Sequence, residues 1–314
     1  MVTYTYHAAN NSIRYRITEK TYDIFSFGPE HIIDYQYSVT YAQVFENIKH
    51  NKIWLFTRVN RVTWEFRYSK DEGETWSDAQ TFLKSDAGGL FYFNVRKQLV
   101  TEHDTVKERC FFALYGHPRI SKAHTIRSGF FDDEGNLLKM NGEKTGVNLF
   151  GNVSATQITL NTLDVVYGSP SETTVRLLEV APTVPLRVGL AAFELNKPET
   201  IIYYMATFKD DKWCLSSPIA KGGEFLSPVA QLDGSQTYVG GMACNFGVGE
   251  AGLNPVTIGS INTNRVYIAR FDGESRVLES YVSYDKGRAY ELEQVIRRIP
   301  ASENIKIWRP TVPI

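Results

Sequence analysis

The sequence lacks the features of several protein classes. Its 314 residues contain no apolar run of the roughly 18 residues that a membrane-spanning helix needs. Basic and acidic residues nearly balance, 34 against 35, and no basic stripe suited to nucleic acid is present. Met1–Tyr4 is followed by polar sequence, so no signal peptide is expected in this chain. We therefore expect no membrane span and no nucleic-acid partner.

Cysteine is also scarce. Cys110, Cys214 and Cys244 are widely spaced, and they form neither a zinc-binding pattern nor a disulfide framework. Each lies in an apolar, strand-like run, so we expect three buried free thiols. No cofactor is predicted, and a structural metal ion is left open.

Long helical periodicity is almost absent, whereas aromatic residues are abundant: 18 Tyr, 18 Phe and 5 Trp. Aromatic side chains favour strands, and here short apolar-aromatic runs alternate with polar turns. The clearest unit has predicted strands at Thr40–Glu46, Ile53–Arg58, Thr63–Ser69 and Gln80–Leu83. Four antiparallel strands in this length are typical of one propeller blade. The sequence therefore predicts an all-β protein.

Similar units follow along the chain. Predicted strands recur at Leu90–Val95, Cys110–Tyr115, Thr125–Phe131 and after Gly135, then at Arg187–Phe193, Ile201–Phe208 and Lys212–Ile219, and finally at Tyr238–Asn245, Arg265–Phe271, Glu279–Tyr284 and Glu293–Ile296. We interpret Val147–Pro185 as a long excursion between blades, with one or two strands of its own.

The two ends of the chain are complementary. The N-terminal part has three predicted strands, Val2–Tyr6, Ser12–Thr18 and Tyr22–Phe27, and the C-terminal part has one, Ile305–Pro313. Pairing them in one shared blade would close a ring and remove open sheet edges. We predict a single domain over residues 1–314, a β-propeller of five four-stranded antiparallel blades, with six or seven blades as the alternatives.

One motif is specific for this architecture. Residues 69–76, SKDEGETW, match the Asp-box pattern S-x-D-x-G-x-T-W at every defined position, and residues 283–290, SYDKGRAY, are a degenerate copy. The Asp side chain accepts bonds from its own turn, the Gly takes a positive φ, and Trp76 is expected to pack between blades and to be largely buried. We assign these positions a structural role at the turn between third and fourth strands: Ser69, Asp71, Gly73, Thr75, Trp76, Ser283, Asp285 and Gly287.

Polar side chains recur at the predicted strand ends where propellers bind ligands. Second strands end near His7, Arg58, His117 and Arg270, and first strands carry Tyr41, Asn94 and Arg309. Such a ring suits an anionic glycan, because Arg binds a carboxylate bidentately and His and Tyr can carry protons. The candidate catalytic residues are His7, Tyr41 and Arg58. The candidate substrate-binding residues are Asn94, His117, Arg270 and Arg309.

Several segments resemble the BNR-4, or Asp-box, repeat family: Ser12–Thr18, Thr40–Val44, Ile53–Arg58, the motif at 69–76, Tyr115–Pro118 and Gly240–Met242. That family includes propeller polysaccharide lyases of the ulvan-lyase type. The resemblance implies a site of two His, one Tyr and one Arg, in which Arg neutralises a uronate. Of these, the second His, the Tyr and the Arg match His7, Tyr41 and Arg58. It also implies an anionic polysaccharide as partner, β-elimination as the reaction, and an extracellular or periplasmic location.

Two alternatives to a lyase are kept open. The family's first His would fall on the C-terminal strand, where Ile307–Pro310 contains no His, so a non-catalytic glycan-binding or scaffold propeller is the main alternative. A glycoside hydrolase is the weaker one, because it needs a pair of carboxylates that no pattern identifies.

Overall fold

The computed structural model describes residues 1–5, 10–20, 25–60, 62–84, 91–102, 105–116, 125–151, 158, 160–170, 173–181, 185–194, 197, 200–222, 241–244, 264–271, 275–285 and 287–300. The predicted closing strand Ile305–Pro313 lies outside these residues, as do His7, His117 and Arg309. Within them the regular structure is β-strand apart from a 3-10 turn at Leu160–Thr162. The predicted all-β class is therefore confirmed. No helix in this part of the chain could span a membrane.

The described strands form five antiparallel sheets. The first contains β1 (Val2–Tyr4), β2 (Ser12–Arg16) and β3 (His31–Asp34). The second contains β4 (Val39–Asn47), β5 (Lys52–Val59), β6 (Thr63–Ser69) and β7 (Gln80–Lys84). The third contains β8 (Phe91–Glu102), β9 (Thr105–Gly116), β10 (Thr125–Asp132), β11 (Asn136–Leu138), β12 (Lys144–Asn148) and β13 (Asp164–Gly168), the last paired with β10.

The fourth sheet contains β14 (Thr173–Ala181), β15 (Arg187–Glu194), β16 (Ile202–Lys209), β17 (Lys212–Leu215) and β18 (Ala220–Lys221), the last paired with β16. The fifth contains β19 (Gly241–Cys244), β20 (Asn264–Phe271), β21 (Ser275–Ser283) and β22 (Glu291–Pro300). In each sheet the main strands are ordered as they follow along the chain, which is the order expected for hairpin-connected meanders.

The chain divides into two compact units. The first unit comprises Met1–Phe91, Val100–Cys110 and Phe130–Thr162, and the second comprises Tyr92–Leu99, Phe111–Gly129 and Leu163–Ile314. The first and second sheets therefore belong to the first unit, and the fourth and fifth sheets to the second.

Three predicted strand assignments need correction. The third strand of the first sheet is His31–Asp34, whereas Phe27, at the end of the predicted strand, makes an isolated bridge to Thr18. The predicted excursion contains β14, the first strand of the fourth sheet. The predicted strand Lys212–Ile219 ends early, at Leu215, as β17, and the separate short strand β18 begins just after it, at Ala220.

The second sheet shows why these sequences form strands. In β6 the side chains of Trp64 and Phe66 are buried, and the residues between them are partly exposed, which is the alternation of a strand with one apolar face. Phe56 on β5 is fully buried and stacks on Phe131 at 5.9 Å, and Phe82 packs against it edge-on at 5.5 Å. Truncating such a ring to alanine typically costs about 3–5 kcal/mol. This aromatic core fixes the second sheet within the first unit.

The Asp box lies between β6 and β7, as predicted. Ser69 Oγ accepts a bond from the Gly73 amide at 2.8 Å, and Asp71 accepts bonds from the Thr75 amide and hydroxyl. Gly73 has φ +99°, which glycine adopts without a steric penalty. Trp76 donates to the Tyr15 hydroxyl of β2 at 3.1 Å, so the box attaches the second sheet to the first. Trp76 is half-buried, however, and not largely buried as expected.

The degenerate copy repeats this geometry between β21 and β22. Ser283 Oγ accepts from the Gly287 amide at 2.8 Å, and Asp285 accepts from the Ala289 amide at 2.9 Å. Gly287 has φ 88°, and Tyr290, at the position of Trp76, is buried in the apolar core of the second unit. The structural assignment of both motifs is consistent with these bonds.

Two of the cysteines can be compared with the prediction. Cys110 is a buried free thiol, as expected. Cys214 is free but exposed, because β17 is short and its burial pattern is mostly open to solvent. The side chain of Cys244 is outside the described set.

Candidate functional site

The first element of the site is an irregularity in β4. Thr40 lies opposite Arg58 on β5, but the next aligned pair is Gln43 with Phe56. Tyr41 and Ala42 therefore both oppose Thr57, which defines a β-bulge. A bulge of this kind redirects side chains, and Tyr41 has the left-handed φ of 57°. That conformation costs about 1–2 kcal/mol for a residue with a Cβ atom.

The redirected Tyr41 ring lies against Arg58. The guanidinium carbon of Arg58 is 4.6 Å from the ring centroid, which is a cation–π contact. The same ring stacks on Trp64 of β6, with centroids 6.5 Å apart and planes 18° apart. Tyr41 is 37% exposed, whereas Arg58 is 3% exposed. The tyrosine is therefore the accessible member of the pair, and its ring contacts a buried positive charge.

This pair lies at the end of the second sheet away from the Asp box. β4 and β6 run in the same direction, because each is antiparallel to β5. The Asp box follows the last residue of β6, whereas Tyr41 is close to the beginning of β4. The structural motif and the candidate chemistry are thus separated within one sheet.

A second group of polar residues belongs to the second unit. On β8, Arg96 Nη1 donates to Asn94 Oδ1 at 2.8 Å, so the candidate binding residue Asn94 positions an arginine. Burial lowers the pKa of Arg96, and the nearby Glu179 of β14 partly offsets that effect. Glu179 lies beside another bulge, since Leu177 opposes Leu190, Glu179 opposes Gly189, and Leu178 is the extra residue.

Glu179 has unusual acid–base properties. Burial raises its pKa to about 7, and the charge of Arg96 and a backbone hydrogen bond from Val180 limit the increase. A carboxyl group with such a pKa can accept or donate a proton near neutrality, which is what general acid–base catalysis requires. The sequence analysis missed both residues. The Asn94-x-Arg96 spacing on one face of a strand was a usable signal for Arg96, whereas Glu179 had none.

Arg270, predicted to bind substrate, is engaged within the protein. Its Nε and Nη2 donate to the two carboxylate oxygens of Glu279 at 2.9 and 3.1 Å, and Nη1 donates to the Lys221 carbonyl at 2.9 Å. Tyr281 also donates to Glu279, at 2.7 Å. Three of the five N–H groups of Arg270 are therefore used to join β20, β21 and β18, which is a structural role.

The predicted site residues thus have different outcomes. Tyr41 and Arg58 are in direct contact in the first unit, whereas Asn94 and Arg270 belong to the second. His7, His117 and Arg309 lie outside the described residues, and their assignments stay predictions. Among the side chains that the structure describes, no cluster of three or more His, Cys, Asp or Glu could hold a metal ion.

Comparison with known proteins adds the fold class. The chain is similar to a structure of a polysaccharide lyase, PL25 ulvan lyase, with 12% identity and a TM-score of 0.58. It is also similar to that lyase bound to a GlcA(1-4)Rha3S saccharide, with 13% identity and a TM-score of 0.59. Both likenesses cover 94% of this chain and 64% of the lyase, so the chain spans less than two thirds of that protein.

A Trypanosoma rangeli sialidase in complex with the inhibitor DANA is more distant, at 10% identity and a TM-score of 0.38 over 89% of this chain and 42% of the sialidase. No protein-family model and no curated protein matches the sequence. The lyase likeness establishes a propeller-like, all-β fold. At these identities the activity has to be argued from the residues themselves.

Proposed function

We propose that this chain is a carbohydrate-active β-propeller that acts on an anionic, uronate-containing polysaccharide by β-elimination. In this proposal the five sheets are blades, the termini complete one blade, and the chain is a relative of the BNR-4 repeat lyases with an extracellular or periplasmic location. The single observation that carries it is the Tyr41 ring, aimed by a bulge onto the Arg58 guanidinium.

The positive charge of Arg58 supplies the first requirement of the reaction. Removing the proton next to a uronate carboxylate places negative charge on that carboxylate, and a nearby cation in a water-poor place stabilises it strongly. Arg58 is 3% exposed, so its field is weakly screened by solvent. We assign the binding of the substrate carboxylate to the Arg58 guanidinium.

Tyr41 supplies the second requirement, a proton carrier at the surface of the site. A base removes the proton at C5 of the uronate, the C5–H electron pair forms the C4=C5 double bond, and the C4–O pair leaves with the glycosidic oxygen. That oxygen takes a proton, so the step is balanced without an oxidant or co-reactant. We assign one of the two proton transfers to Tyr41, and the other to His7 on the basis of sequence.

The class of substrate is supported from outside this chain. The lyase of similar fold has been captured with a saccharide that contains glucuronate and sulfated rhamnose. That saccharide is anionic, as a site built around a buried arginine requires.

A second function is favoured by one observation. Tyr41 stacks on the buried Trp64 with its ring 37% exposed, and such a rigid aromatic surface is also what a sugar ring packs against in binding proteins. The alternative is therefore a glycan-binding propeller without catalysis. A glycoside hydrolase is less well supported, because no sequence pattern identifies the pair of carboxylates that it needs.

The deciding experiment is a screen of uronate-containing polysaccharides, followed by the ultraviolet absorbance of the unsaturated product. We expect Tyr41→Phe to lower kcat by roughly a hundredfold or more while KM changes little, because a proton carrier is lost with little contact area. Arg58→Lys should lower kcat by roughly a hundredfold as well, since it loses the planar guanidinium.

The chain offers a matched control. Arg67 lies 4.6 Å from the ring of the buried Tyr35 in the same unit, a second Arg–Tyr pair of equal separation. Tyr35→Phe should therefore leave activity unchanged. If no uronate polymer yields an unsaturated product but Tyr41→Ala weakens glycan affinity, the binding alternative is correct. If neither product nor glycan binding depends on Tyr41, both functions are wrong.

A further inference from the structure

A second arginine is placed where the fold alone does not explain it. Arg187 is the first residue of β15, with Ala181 of β14 opposite it on one side and Thr207 of β16 on the other. Directly paired residues project to the same face of a sheet, so Ala181, Arg187 and Thr207 form one row across the fourth sheet. This row is in the second unit and is separate from Tyr41 and Arg58.

Among the described residues, no group compensates the buried charge of Arg187. The residue is 8% exposed, its Nε is fully buried, and across the described chain no carboxylate forms an ion pair with it. An isolated buried charge costs several kcal/mol, and proteins normally pair such groups or let them bind an ion. The arginine therefore indicates a missing negative partner.

Thr207 strengthens this interpretation independently. Its hydroxyl is buried, with the residue 5% exposed, and Oγ1 has no hydrogen-bond partner. A guanidinium only donates hydrogen bonds, and a threonine hydroxyl has one donor to offer. The group that would satisfy both must accept several hydrogen bonds and carry negative charge.

We propose that Arg187 and Thr207 form a binding site for one anionic group with acceptor oxygens, either an inorganic oxoanion or the carboxylate of an acidic saccharide. The planar guanidinium of Arg187 donates hydrogen bonds to two oxygens of such a group, and the Thr207 hydroxyl donates a third hydrogen bond to one of its oxygens. The site does not depend on the proposed lyase activity.

The test is isothermal titration calorimetry of the full chain with sodium sulfate, sodium acetate and sodium glucuronate in separate experiments at constant ionic strength. We expect saturable one-to-one binding of at least one of them. Arg187→Met should weaken it by about tenfold or more, because the charged donors are lost, and Thr207→Val by about threefold to tenfold. Arg297→Met removes an exposed arginine of the same unit and should change nothing.

The outcomes separate the two sources of the anion. Sulfate binding without acetate or glucuronate binding identifies an inorganic oxoanion, whereas acetate and glucuronate binding identifies a carboxylate. If no anion binds the wild-type chain, or if Arg187→Met binds it equally well, the proposal is wrong. Folding is checked independently: without the anion, Arg187→Met should melt at least as high as wild type, because an unpaired buried charge has been removed.

Discussion

The backbone strain at Tyr41 can be measured by comparing alanine and glycine at that position. Tyr41→Ala and Tyr41→Gly both lose the contact with Arg58 and the stacking on Trp64, so these losses cancel between the two variants. What remains is the φ of 57°, which penalises any residue with a Cβ by about 1–2 kcal/mol and does not penalise glycine. The opposing effect is that glycine destabilises a strand relative to alanine by about 0.5–1 kcal/mol.

The expected result is an inverted order. At Gln43, two residues along β4 and outside the left-handed region, alanine should be more stable than glycine by about 0.5–1 kcal/mol. At Tyr41, glycine should equal or exceed alanine, so that the alanine-to-glycine change differs between the two sites by about 1–2 kcal/mol. Urea unfolding with linear extrapolation resolves this difference if the m-values agree. If glycine is as unfavourable at position 41 as at position 43, the bulge does not store strain and our account of the site is wrong.

Three further predictions concern other parts of the structure. Gly135→Ala places a Cβ 2.8 Å from two atoms of the Phe150 ring at φ +77°, so urea unfolding should show it about 1 kcal/mol less stable than Gly146→Ala, where φ is +87° and nothing lies within 4 Å. Hydrogen bonds from Thr75 and Ser69 lower the pKa of Asp71 to about 2, so the stability that they contribute is present above the ordinary pKa of 3.8 and is lost as pH falls towards 2. In melting experiments at a series of pH values, Asp71→Asn should therefore show a smaller loss of stability between about pH 4 and 2 than wild type. An equal loss in the variant would contradict the assignment. The pKa of Glu179 is raised from 4.5 to about 7, so between these pH values the folded state binds a proton that the unfolded state does not. The free energy of unfolding should therefore fall as pH rises from about 4.5 to 7, by no more than about 3 kcal/mol. Glu179→Gln should remove this pH dependence, and a variant that keeps the wild-type pH dependence would refute the assignment.

Local patterns explain how much of the fold could be predicted. The Asp boxes were recognised because Ser69, Asp71 and Gly73 make their bonds within a few residues of each other, and the same holds for Ser283 and Gly287. The strands of the second sheet were placed to within one residue at each end for the same reason, since alternation and turn residues are local.

The errors have a physical cause as well. Proline at positions 170, 182 and 185 made the segment before β15 look irregular, yet these prolines flank β14 and leave its ladder intact. The predicted strand ending at Phe27 failed because the third strand of the first sheet is chosen by pairing with β2, where Ile33 faces Ile13. Such pairings depend on distant residues that a local pattern does not contain.

The candidate site depends even more on distant contacts. Tyr41 and Arg58 were both singled out from the sequence, but their contact requires the register of β4 against β5. Glu179 could not be found at all, because its pKa depends on burial and on Arg96, which is 83 residues earlier in the chain by numbering. Arg270 was singled out as a binding residue, and its partner Glu279 is visible only once β20 pairs with β21, so its role in binding stays a prediction.

Positive φ angles give the strongest argument that the Tyr41 bulge has a function. Among the described residues, the non-glycine residues with positive φ are Tyr41, Asn51, Asn60, Glu72, Asp210 and Asp211. All except Tyr41 lie in turns, and four of them are Asn or Asp, for which the left-handed conformation costs least. An aromatic residue inside a strand has neither a turn nor a short polar side chain to favour this conformation, and a glycine at this position would relieve the strain. Because the strained residue is also the exposed ring over Arg58, the strain supports the proposal that this ring contacts a ligand.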